Sequence, residues 1–206
     1  MIRGLFGPGT IVLGGGAVLM IAFLAVGFFL PGTWSATAET TIDAGPEVLL
    51  GYLDSPEGWR KWTPWPDSIT RSGPERGPGA RIAWESREFG SGSFQIEEST
   101  LAGVAYSVDV AGAGENPMRT HGTVTLTPEN GRTRVVWDES GDLGRNPLMG
   151  YWALSMDRAQ STELGKSLDR LAEVVGEAAE TGRVGPLVGD EAPRLDSARS
   201  GSAPSR

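Results

Sequence analysis

The order of apolar and polar positions divides the chain into four stretches. Residues 11–30 are twenty in a row without a charge or a strongly polar side chain. As a helix rising ~1.5 Å per residue they reach ~30 Å, the thickness of a bilayer's hydrocarbon core. Three consecutive glycines, Gly14, Gly15 and Gly16, suit a membrane helix better than a water-exposed one. From Thr33 to Ile42 the pattern alternates, with Trp34, Ala36, Ala38, Thr40 and Ile42 on one side, which predicts a strand. Pro46 opens a short helix whose apolar face is Val48, Leu49 and Leu53. Three tryptophans follow in a proline-broken turn, Trp59, Trp62 and Trp65.

Residues 69–139 read as strands and turns. Arg81–Trp84, Phe94–Ile96 and Val104–Val108 alternate, and a hairpin joins residues 122–126 to 133–137 across Asn130-Gly131. The period then changes. Asn146-Pro147 is a capped helix start, Leu164, Leu168, Leu171 and Val175 recur at helical spacing, and Gly182 is a stop. The apolar stripe lapses near Ser155–Ser161, where a bend is expected. Beyond it, residues 181–206 are mainly small, polar and proline-rich, the composition of a disordered tail. The predicted division is a cytoplasmic N-terminus over 1–10, a transmembrane helix over 11–30, one domain over 33–180 and the tail. The predicted fold class is α+β: a bent antiparallel sheet around a long C-terminal helix, preceded by one transmembrane helix.

The flanks of the apolar run bear on orientation. Arg3 precedes it, and the first charges after it are acidic, Glu39, Asp43, Glu47 and Asp54. The positive-inside rule then places the N-terminus in the cytoplasm and the domain outside, as a single-pass protein. Ala36-Thr37-Ala38 resembles a signal-peptide cleavage site, but cutting there would sever the first predicted strand, and the run exceeds the ~7–15 residues of a usual signal core. An uncleaved anchor is the expectation.

Net charge is −8. An acidic chain without a basic stripe repels phosphate backbones, so nucleic-acid partners are not expected. No cysteine and a single histidine argue against a zinc or iron site. Asp138, Asp142 and Asn146 recur every fourth residue, whereas a calcium loop needs ligands every second residue around a glycine. No phosphate-loop or nucleophile-elbow spacing is present. No metal and no cofactor are expected.

Residues quoted from two stretches carry a family resemblance. The first is Ala44-Gly-Pro46, Val48, Leu53, Asp54 and Trp59-Arg-Lys-Trp-Thr-Pro-Trp65. The second is Thr133-Arg-Val-Val-Trp137, Gly141-Asp-Leu-Gly144, Asn146-Pro147, Tyr151 and Met156-Asp157. Together they resemble polyketide cyclase/dehydrase-like proteins of the START-related (SRPBCC), helix-grip superfamily, which has members with a single N-terminal membrane helix. The resemblance implies a helix-grip fold over about 33–180. It leaves activity open, because the superfamily mixes lipid and polyketide binders with aromatase/cyclases.

Candidate ligand contacts are aromatic: Trp62 and Trp65 at a cavity mouth, Trp84, Tyr106 and Trp137 on inward strand faces, and Trp152 meeting them from the helix. Ordinary core packing is the competing role for each. Candidate acid/base groups are Glu139 and Glu98, which continue inward sets of their strands, and His121, which period two places outward. Arg119 is a potential partner for one of these carboxylates. The expected function is binding of an apolar or amphipathic small molecule, lipid- or polyketide-like, between sheet and helix, gated by the tryptophan turn. The alternatives are a cyclase/dehydratase using a cavity carboxylate, and a tethered protein-interaction domain without ligand.

Overall fold

A computed structural model describes residues 8–87, 90–111, 118–144 and 146–182, with side chains in the first helix from Gly14 onward. Nearly all of the expected tail, and residues 1–7, lie outside the described residues.

The apolar run forms helix α1, Pro8–Phe29. Over the residues whose side chains are described, no helix is long and apolar enough to cross a membrane. In α1 those residues are 14–29, roughly 24 Å of helix at ~1.5 Å per residue. The helix is therefore established here, and a crossing is not.

Strand β1, Thr33–Ile42, follows after three linking residues and shows the buried–exposed alternation that its sequence predicts. Helices α2, Pro46–Leu53, and α3, Pro56–Trp59, come next, each with proline in its first turn. Six further strands complete an antiparallel meander: β2 Ile69–Ser72, β3 Arg81–Ser86, β4 Gly90–Thr100, β5 Gly103–Val110, β6 Met118–Glu129 and β7 Arg132–Asp142. The sheet order is β1-β7-β6-β5-β4-β3-β2, so the first strand closes onto the last. The β6–β7 turn places Asn130 and Gly131 at φ of 52° and 83°, the left-handed pair that a two-residue hairpin turn requires.

Helix α4, Pro147–Glu180, runs as one element with Asn146 as N-cap, its side chain accepting from the Leu148 amide at 2.9 Å. It lies along the free edge of β1. The Ser35 amide donates to Asp157 Oδ1 at 3.0 Å and the Thr37 amide to Ser161 Oγ at 3.3 Å. Those contacts satisfy edge groups that would otherwise invite pairing with another chain. They also explain the lapse in the apolar stripe: between residues 155 and 161 Asp157 and Ser161 meet strand backbone, and Met156 is the one large apolar side chain of the stretch. Further along, Leu164, Leu168, Leu171 and Val175 are buried against the sheet as their spacing predicts.

Candidate functional site

The tryptophan turn fills the middle of the fold. Trp59 lies between Trp62, Phe94, Tyr106 and Trp137, with ring centroids at 4.7, 5.3, 4.8 and 5.5 Å. Its Nε1 donates to the Leu53 carbonyl at 2.5 Å, and that of Trp62 to the Tyr52 carbonyl at 3.3 Å. Both rings are thus held by packing and by α2's own backbone. Trp65 is half-buried, edge-on to Trp84 and Phe94. Trp62 was expected at a cavity mouth and is instead buried core. A prolyl turn carrying three rings over the open side of a sheet buries most apolar area by stacking them on one another.

Space is left at one end of this cluster. Between the start of α4 and the adjoining ends of β1, β5, β6 and β7 lies a cleft of about 360 Å³. Trp34, Val108, Val110, Met118, Leu143 and Met156 supply its apolar wall. Glu139 and Gln160 supply polar atoms from β7 and α4, with Arg119, Thr120 and Asp142 completing the lining.

Glu139 is 8% exposed, and its carboxylate joins a buried chain of hydrogen bonds. Trp137 Nε1 donates to Tyr106 Oη at 2.8 Å, the Tyr106 hydroxyl donates to Glu139 Oε1, and Gln160 Nε2 donates to Glu139 Oε2 at 2.8 Å. Burial pushes the Glu139 carboxyl above its ordinary range, while the bonds from Tyr106 and Gln160 hold part of that rise back. Tyr106 is raised well above the usual phenol by burial first and by the Glu139 charge next. The dyad can therefore hold a proton beside an apolar cleft. An amide such as Gln160 suits it, because rotation of the side chain presents an acceptor to the protonated acid and a donor to the ionised one.

The folded state binds the Glu139 proton more tightly than the unfolded chain does. Its contribution to stability is present below the ordinary glutamate pKa of 4.5 and is lost as pH rises through the raised value. Glu139→Gln removes this titration. The gain in melting temperature of the variant over the parent chain is expected to be larger at pH 8 than at pH 4; a difference that is flat with pH excludes a raised Glu139.

The other sequence candidates are placed elsewhere. Glu98 was expected to continue the inward set of β4, but a register shift between Ile96 and Glu98 inserts one residue and turns it to the exposed side. His121 is exposed on β6, as period two indicates. Arg119 pairs with Asp109 at 2.6 Å, not with either glutamate. Trp152 was expected to meet the sheet rings from the helix and is instead 60% exposed on its outer side, because the inward stripe of α4 passes through Ala153, not its neighbour. Trp84 and Trp137 lie within the ring cluster, while Tyr106 links that cluster to Glu139. Reading missed Gln160 and Met156. Extending the Leu164–Leu168 stripe back by one turn reaches Gln160, a usable signal.

A second hollow of about 380 Å³ lies between α3 and the β2–β3 segment. It holds Arg71, Arg76 and Arg81, but Arg71 pairs with Glu57 and Arg76 with Asp54, so its positive charge is largely met. Among the described residues, no His, Asp and Glu side chains gather in a group of three or more that could hold a metal ion.

Comparison with solved structures recovers the same fold at low identity. A protein from Helicobacter pylori matches with TM-score 0.55 and 15% identity, over 68% of this chain and 87% of its own. One from Thermus thermophilus gives 0.53 and 20%, over 70% and 99%. One from Mesorhizobium loti gives 0.52 and 16%, over 69% and 97%. Comparison with curated proteins finds no significant match. The family model described as "Polyketide cyclase / dehydrase and lipid transport" matches residues 33–176, from the first residue of β1 into the last turns of α4. The chain belongs to that polyketide cyclase/dehydrase and lipid transport family, on a helix-grip fold.

Proposed function

We propose that the domain binds an apolar or amphipathic small molecule with one polar end, in the cleft between the start of α4 and the sheet. The observation that carries this reading is the cleft's composition: an apolar wall with a single buried acid, Glu139, at its polar end. Most ligand sites have this make-up, hydrophobic lining with a few placed polar groups. The tryptophan turn forms the floor behind Tyr106 and does not gate this cleft. Helix α1 anchors the domain in a membrane, N-terminus inside, where amphipathic ligands are concentrated. The support is its apolar surface: Val18, Leu19, Met20, Ile21 and Phe29 are all exposed. Bare apolar area of that extent is stable in lipid and costly in water.

Native mass spectrometry of the full chain, released from detergent after extraction from membranes, tests the binding. A defined adduct is expected on the parent chain and not on Met156→Arg, whose charge would enter the cleft, with unchanged circular dichroism. An adduct retained undiminished by that variant sinks the assignment.

One observation favours the second reading, an enzyme of the cyclase/dehydratase kind. A buried carboxyl facing an apolar cleft, with its proton affinity raised by burial, is suited to donating to a ligand carbonyl. Glu139→Gln would then keep binding and abolish turnover of a β-ketone substrate; unchanged turnover excludes Glu139 as the acid.

A further inference from the structure

The first turns of α4 differ from the rest of that helix. From Asn146 to Met156 no residue is charged, and Asp157 is the first that is. Beyond it, Arg158, Glu163, Lys166, Asp169, Arg170 and Glu173 are charged. A helix segment that is apolar all round is at home in a core or in lipid, yet of this one only Gly150 and Ala153 are buried. Leu148, Trp152 and Leu154 are 51%, 60% and 58% exposed. The polar side-chain atoms nearby are met internally: Ser155 Oγ donates to the Trp152 carbonyl at 2.8 Å and the Tyr151 hydroxyl to the Phe23 carbonyl at 2.8 Å.

This segment is packed on α1. The Tyr151 ring stacks on Phe23 at 4.3 Å and an interplanar angle of 3°. Gly27 and Gly150 make the close crossing: a Cβ on Gly150 would come within 2.5 Å of Leu30 Cβ and 3.0 Å of the Gly27 carbonyl oxygen, and one on Gly27 within 2.8 Å of the Tyr151 ring. Phe23 stands roughly 9 Å along the helix from Phe29 at ~1.5 Å per residue. Tyr151 therefore docks about 9 Å inside the end of α1. Among the described residues, exposed apolar side chains of α1 and of the first turns of α4 thus belong to two helices packed on one another.

We propose that the first two turns of α4, Leu148 and Trp152 foremost, are seated in the lipid interface as a second membrane contact, so that the cleft opens at the bilayer surface. The inference rests on α1 being a membrane anchor. Tryptophan is enriched where membrane helices meet the interface. Met156, one turn beyond Trp152 and on the same side of the helix, is already part of the cleft wall. Trp34, also in the cleft lining, is the second residue of β1, which starts three linking residues after α1. A ligand leaving the acyl region would thus pass Trp152 and Met156 to reach Glu139 without crossing bulk water.

The chain has no cysteine, so single-site labelling is clean. Nitroxide labels would be placed on Leu148→Cys, Trp152→Cys, Leu19→Cys in α1 and Thr127→Cys on the far end of β6, each in the full chain reconstituted in phosphatidylcholine vesicles. Relaxation by oxygen, which partitions into lipid, is compared with relaxation by a water-soluble nickel chelate. The expected result is an oxygen-to-nickel ratio at positions 148 and 152 several-fold above that at 127 and below that at 19. Ratios at 148 and 152 equal to that at 127, with 19 still in lipid, overturn the interfacial seating and leave the anchor standing. A water-exposed label at 19 overturns both. Labels at 148 and 152 shielded from both relaxants also overturn it, in favour of a protein contact.

Discussion

Replacing Trp59 with alanine is expected to cost about 3–5 kcal/mol, the range for deleting a fully buried aromatic side chain. A domain of this size has a total stability of roughly 5–15 kcal/mol, so the variant would lose a large part of it. The reason is position. Trp59, at the end of α3, touches rings from the following turn and three different strands, namely Trp62, Phe94, Tyr106 and Trp137. No neighbour can collapse into the space without breaking its own contacts, so a cavity persists and the penalty stays at the upper end. Urea denaturation of the full chain in detergent, followed by circular dichroism, measures it. Trp65→Ala is the comparison, since that ring is half-buried and, among the described rings, contacts two, Trp84 and Phe94. A cost for Trp59 no greater than that for Trp65 would refute the view that the turn forms the centre of the core.

Gly122→Val is expected to destabilise by roughly 2–5 kcal/mol, from overpacking together with a stranded buried polar group. Gly122 lies opposite Tyr106 on one neighbouring strand and opposite Glu139 on the other. The Tyr106 ring crosses directly over it to reach the carboxylate, and a Cβ there would sit inside that ring. Valine would otherwise favour a strand position over glycine, so propensity alone predicts the opposite sign. The displaced phenol would release Glu139 and leave Trp137 Nε1 without its acceptor. Two measurements check this: the stability of the variant, and its cost in a Tyr106→Ala background, where the clash is gone and the penalty should largely vanish. A valine variant as stable as the parent would show that the ring does not depend on that glycine.

Much of the architecture was legible because alternation and helical spacing are local consequences of burial. Trp34 and Ala36 on β1, Val124 and Leu126 on β6, and Val135, Trp137 and Glu139 on β7 all face inward as period two predicts. The same rule failed at Glu98, since one inserted residue reverses every later side chain and a bulge leaves no mark in the alternation before it. It could not separate cavity from core for the tryptophans either. Both uses call for a large apolar ring facing inward, and only the packing of Trp59, Trp62 and Trp137 on one another shows which space is already filled.

What the sequence by itself determined is the order of elements, the family, the apolar first helix and the inward direction of Glu139. These follow from residue type and spacing, which act over a few residues. What only the tertiary structure decided is where the empty volume lies and what surrounds it. Tyr106, Glu139 and Gln160 come from three separate elements, and the Gly27–Gly150 crossing joins residues far apart in the chain. Such meetings are set by how the sheet closes β1 onto β7 and lays α4 along its edge. That is a property of the whole packed chain, which no local pattern records.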